Sequence, residues 1–90
     1  MRQQAAQRNS VAIRLDERVE GYDVGTILVF GPACPLPPAG MGLFAIKGVP
    51  SDVVGRFEAG KRGVTILAEN GDTRIPRSAV RSFRPFVAAV

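Results

Sequence analysis

Ninety residues with 46% hydrophobic and 22% charged side chains make one globular domain with a modest core, too short for a second domain. The absence of histidine and the single cysteine exclude a His/Cys zinc site, a Ser-His-Asp or Cys-His machine and a disulfide framework within the chain. The net charge of +4 suits contact with nucleic acid or an acidic partner, or simply a charged surface.

Residues 1–10 hold no large apolar residue after Met1 and read as a flexible tail, with a single β-domain expected over residues 11–90. Val11 to Leu15 alternates apolar and polar residues, the pattern of a half-buried strand with Arg14 outward. Asp16 to Gly25 is a polar connection. Thr26-Ile27-Leu28-Val29-Phe30 is a continuous apolar run between glycines, the pattern of a central strand rather than a helix. Gly31 to Gly40 holds four prolines in ten residues, which predicts a stiff surface crossover rather than a helix or a sheet ladder.

Strands follow at Gly42–Lys47, Val53–Glu58 and Val64–Ala68. Gly55 in the middle of the second predicts a weak point or a bulge. Gly60 and Gly63 frame a hairpin loop, and Glu69-Asn70-Gly71-Asp72 is a turn. Thr73–Ile75 extends briefly before Pro76, Ser78–Arg81 is one helical turn, and Phe83–Val90 is a final strand. The fold class is all-β, a small partly open barrel or folded sheet of six or seven short strands.

Chemistry is sparse. Asp16, Glu17, Glu20 and Asp23 lie close in sequence but lack the spacing of an oxygen-rich cation loop, so no metal and no cofactor are expected. Cys34 has no histidine to activate it and reads as a spectator thiol. No apolar run approaches the roughly 18 residues of a membrane helix, and the polar N-terminus is unlike a signal peptide. A cytoplasmic protein with a reduced thiol and no membrane partner is expected. Without histidine, the remaining hydrolytic route is a serine with a desolvated lysine as base; the candidates are Lys47 and Lys61 with Ser10, Ser51, Ser78 and Ser82.

The order of segments from Val11 to Val90 resembles the C-terminal domain of LexA and the phage repressors, the self-cleaving Ser-Lys peptidase family. Tyr22-Asp23-Val24-Gly25-Thr26-Ile27-Leu28-Val29 is similar to that family's Gly-Asp strand entry, with Thr26 in place of the aspartate. Gly42-Leu43-Phe44-Ala45-Ile46, Val53-Val54-Gly55-Arg56-Phe57, Val64 to Asn70 and Arg81 to Val90 resemble the strands that follow, in the same order. The catalytic residues are not retained. The family's serine would fall near Asp16 or Glu17, with no Ser-Met-x-Pro word, and its lysine would fall at Gly55, before Arg56. Ala39-Gly40 and Ala59-Gly60 lie inside the domain, not upstream of it where the family's cleavable Ala-Gly link belongs.

The resemblance implies a catalytically inactive domain that acts by protein–protein association in transcriptional regulation, as a homodimer or paired with a repressor-type protein. It also implies a dimer interface at the closing strand: Phe83, Phe86, Val87 and Val90. Two alternatives stand beside it. One is a small basic β-barrel that binds nucleic acid weakly through Lys61, Arg62, Arg74, Arg77, Arg81 and Arg84. The other is a phage structural or assembly protein.

Overall fold

The computed structural model describes residues 9–68 and 71–90. The predicted tail at residues 1–8 and the Glu69-Asn70 half of the predicted turn lie outside them; Asn9, at the end of that tail, accepts a hydrogen bond from Arg84 through its carbonyl.

Seven strands form in the described residues: β1 Val11–Arg14, β2 Ile27–Phe30, β3 Ala39–Ile46, β4 Val53–Ala59, β5 Val64–Leu67, β6 Thr73–Ile75 and β7 Val80–Ala89. A 3₁₀ turn, Arg77–Ala79, leads into β7. The strands make one antiparallel sheet in the order β1-β2-β7-β3-β4-β5-β6. The all-β, folded-sheet expectation is met.

The last strand is not an edge. β7 lies inside the sheet and changes partner along its length: Val80 to Pro85 pairs with β3, and Phe86 to Ala89 pairs with β2. Pro85 sits at the changeover, where its missing N–H interrupts neither ladder. The outer strands are β1 and β6.

The proline-rich crossover is tied down between its prolines. Gly31 donates its N–H to the Pro85 carbonyl at 2.8 Å, and Cys34 donates to the Phe83 carbonyl at 3.0 Å. β3 begins at Ala39, before the predicted Gly42, because Gly40 at φ 148 carries the chain straight from Pro38 into the ladder with β4.

Opposite faces of the sheet are buried at its two ends. In β3, Leu43 points to one core and its neighbour Phe44 to the other. The first core holds Phe44, Ile46, Phe57, Val64, Ile66 and Phe83. Three of its rings pack together with centroids 5.0, 5.1 and 5.2 Å apart. The second holds Leu15, Leu28, Phe30 and Leu43, with Tyr22 and Phe86 against them. Two cores side by side give the chain its 42 × 27 × 23 Å shape.

Two glycines make the first core possible. Gly42 and Gly55 are register partners on β3 and β4. A Cβ on Gly42 would fall 2.3 Å from the Phe83 ring, and one on Gly55 would fall 3.3 Å from Ile66. The bare Gly42 leaves the space that the Phe83 ring fills, and Gly55 lets Ile66 pack close to β4. No bulge forms at Gly55, against expectation; the register shifts occur instead at Ala45/Ile46 and Val29/Phe30, both against β7.

The polar connection after β1 contains a miniature hairpin. Val19 and Tyr22 exchange backbone hydrogen bonds at 3.1 and 2.8 Å around Glu20 and Gly21. Both central residues have positive φ, 51° and 84°, as a two-residue type I′ turn requires. Leu15 and Tyr22 are thereby held over the second core as its cover.

Candidate functional site

The hairpin cover packs against β4 and β5, and a groove of about 540 Å³ lies between them. Val19, Val49, Val53, Val54, Leu67 and Ile75 give it apolar walls. Glu17, Arg18 and Glu20 stand at its rim. Arg56 Nε donates to Glu20 Oε1 at 3.1 Å, joining β4 to the cover. Glu20 is only 18% exposed, so it is the anchored member of the pair.

The groove thus brings together two segments far apart in the sequence: the loop where the resembled family would carry its serine, and the strand where it would carry its lysine. The chemistry at both is different here. Asp16 is exposed beside Glu17 at the rim, and Gly55 is buried with no side chain. No serine, lysine or cysteine lines the groove. The remaining lysines, Lys47 and Lys61, are exposed, as are Ser51, Ser78 and Ser82. The arrangement can hold apolar matter beneath a charged rim.

The four residues expected at a dimer interface do not share a surface. Phe83 is 2% exposed and belongs to the first core. Phe86 packs against Phe30 and Tyr22 in the second, with ring centroids 6.0 and 5.9 Å apart. The sheet buries opposite faces at its two ends, so a strand that crosses from one lobe to the other sends its aromatics to different cores. Val87 and Val90 remain outside, 61% and 79% exposed.

Those two valines belong to a wider apolar face that the sequence reading missed. Cross-strand partners share a face, so Ala12, Val29 and Ala88 lie together, as do Arg14 and Ile27. Val90 exchanges two backbone hydrogen bonds with Ile27 and continues that row. The side chain of Val87 leans over Gly31 on the same side. Opposite faces of β1, β2 and β7 therefore differ: one covers the second core, and the other is apolar apart from Arg14 and, among the described residues, packs against no core cluster, with Ile27 and Val29 half-buried and Val87 and Val90 exposed. The signal was present in Ile27-Leu28-Val29-Phe30, which is apolar on both faces. It reads as a central strand, and β2 does lie between β1 and β7, with one face against the second core among the described residues.

The basic residues also divide. Arg84 is half-buried, and its Nη1 donates to the Gly31 and Asn9 carbonyls at 3.1 and 3.2 Å, so it serves the fold. Lys61, Arg62, Arg74, Arg77 and Arg81 are exposed at the far end of the first lobe. The acidic residues Asp16, Glu17, Glu20 and Asp23 lie in the cover of the second; Asp23 pairs with Arg18 at 3.7 Å, both well exposed. Among the described residues no three acidic or cysteine side chains cluster as a metal site, and no helix is long and apolar enough to cross a membrane. No family model, curated protein or solved structure matches this chain.

Proposed function

We propose that this chain is a non-catalytic association domain of the LexA/phage-repressor type, acting in transcriptional regulation by pairing with itself or with a repressor-type protein. The apolar face of β1, β2 and β7 is the observation that carries association. Ile27, Val29, Val87, Ala88 and Val90 present contiguous apolar surface on regular strands, and such patches mark interaction sites on small proteins. Two such faces stack as sheets about 10 Å apart. A two-fold axis then makes one patch serve both copies. The inactive reading is supported by the residues at the positions the resemblance implies, Asp16 or Glu17 for the serine and Gly55 for the lysine.

Sedimentation equilibrium up to about 100 µM tests the association. A dimer with a micromolar dissociation constant is expected. Val87→Asp is expected to give a folded monomer, because a carboxylate buried without a partner costs several kcal/mol. Phe86→Asp is unsuitable, since that ring belongs to the second core. A monomeric wild type at the highest concentration, or a fully dimeric Val87→Asp protein, removes the proposal. Incubation at about pH 9–10, where a lysine is partly neutral, is expected to leave the intact mass unchanged; a specific cut lost on replacing one serine contradicts the inactive reading.

A further inference from the structure

We propose that the far end of the β3–β6 lobe binds the phosphodiester backbone of nucleic acid, through Lys61, Arg62, Arg74, Arg77 and Arg81. This is independent of the association face, which lies at the other end of the sheet.

The five cations form one path. The β4–β5 hairpin closes with Gly60 donating to the Gly63 carbonyl at 2.9 Å, which puts Lys61 and Arg62 at its tip. Arg77 Nη1 donates to the Gly60 carbonyl at 3.0 Å and lashes the 3₁₀ turn to that hairpin. Three shallow depressions run along this end of the molecule. Arg77 and Arg81 line the first with Cys34 and Pro35. Arg77 and Lys61 line the second with Pro37 and Pro38. Lys61, Arg62 and Arg74 line the third. Arg77 joins the first depression to the second, and Lys61 joins the second to the third. The proline crossover is a stiff wall along two of them.

The charges are unspent. Both ion pairs among the described residues lie at the second lobe's cover, Arg18–Asp23 and Arg56–Glu20. Among the described residues, Glu58 is the one carboxylate lining the three depressions. It is separated from Arg74 by the intervening strand, since both are register partners of Thr65. Four of the five cations are arginine, whose planar fork matches phosphate oxygens.

An open, linear and shallow path suits a polymer of phosphates better than a single anion. It is poorly suited to a membrane surface, because the exposed large apolar residues, Val24, Val49, Val87 and Val90, all lie outside it. No aromatic side chain is exposed along it for base stacking, so binding is independent of sequence.

Fluorescence anisotropy with a labelled random-sequence duplex, and with its single strand, tests this on the whole chain. Five phosphate contacts on duplex DNA predict a slope of about −4.5 in log affinity against log salt. That is a loss of about 500-fold between roughly 50 and 200 mM salt, with a dissociation constant of about 10⁻⁴–10⁻⁶ M at physiological salt. Arg62→Glu is expected to weaken binding about tenfold and to make the slope shallower by at least one. Arg18→Glu changes net charge equally but lies at the other lobe, and it is expected to leave the affinity within about twofold. Circular dichroism checks that both variants are folded. The single strand is expected to bind with the shallower slope of about −0.7 per contact. Absence of binding at low salt, equal weakening by Arg18→Glu and Arg62→Glu, or equal competition by polyglutamate would each overturn the assignment, the last in favour of an acidic protein partner.

Discussion

The two lobes of the sheet are built from the same kind of strand and closed in opposite ways. The β3–β6 lobe curls round three phenylalanine rings and is capped by Ile75, Ala79 and Leu36. The β1–β2 lobe is closed on one face by the Glu20-Gly21 turn and its flanking residues, and its other face meets no core cluster among the described residues. The first lobe spends its apolar residues on one core. The second has more apolar residues than it can bury, and the surplus becomes surface. Stability therefore concentrates in one lobe, and the capacity to meet an apolar partner concentrates in the other.

Truncation of the aromatic cluster breaks this comparison most severely. Phe57 and Phe44 are 1% and 0% exposed and touch each other and Phe83. Phe57→Ala is expected to cost about 3–5 kcal/mol, the range for a buried ring replaced by alanine. That is most of the stability available to a domain of this size. Phe86→Ala in the second lobe is expected to cost about half as much, because Phe86 is half-buried. Urea titrations of the two variants decide it. Equal midpoints would mean that the second lobe carries as much of the fold as the first.

Gly42→Ala sharpens the same comparison at smaller scale. The added carbon would meet the Phe83 ring at 2.3 Å and the Arg84 carbonyl at 2.4 Å, and the carbonyl cannot step aside without breaking the β3–β7 ladder. A loss of about 2–3 kcal/mol is expected, the upper part of the range for overpacking. Gly55→Ala meets only the Ile66 methyl, at 3.3 Å, and gains helpful β-strand stiffness; a change of under about 1 kcal/mol is expected. The ordering of the two is the test, measured by thermal or urea unfolding.

Much of this architecture was legible in the sequence, because its period-two patterns and glycine or proline boundaries are local. The strands Val53–Ala59 and Val64–Leu67 lie within two residues of their expected limits. What escaped depends on contacts between distant segments. Phe83 and Phe86, three residues apart on one strand, point to opposite faces, and what escaped is that both faces are buried, because β7 passes from β3 to β2 and so from one core to the other. Arg84 looks like one more cation in a basic stripe until Gly31 and Asn9 are seen to occupy its guanidinium. Arg77 and Lys61 are far apart in sequence and become neighbours only because the 3₁₀ turn is lashed to the hairpin. Gly42 reads as an ordinary strand start until the Phe83 ring is seen to fill the space its missing side chain leaves.

The smallest expected effect lies at Glu20, where two influences oppose each other. Its φ of 51° is a conformation that costs a non-glycine residue about 1 kcal/mol. Its carboxylate pairs with Arg56, and because Arg56 is 66% exposed the pair is partly screened and contributes about 0.2–1 kcal/mol. Glu20→Gln keeps the backbone strain and loses the charge, so it should destabilise by about the value of the pair, and less at high salt. Glu20→Gly loses the pair but relieves the turn, with a partial offset from the freer unfolded chain, so it should stay within about 0.5 kcal/mol of the wild type. Combining each with Arg56→Ala isolates the ion-pair part. Both variants lose the ion pair, so if glycine proves more damaging than glutamine, the freer unfolded chain outweighs the relief of the turn.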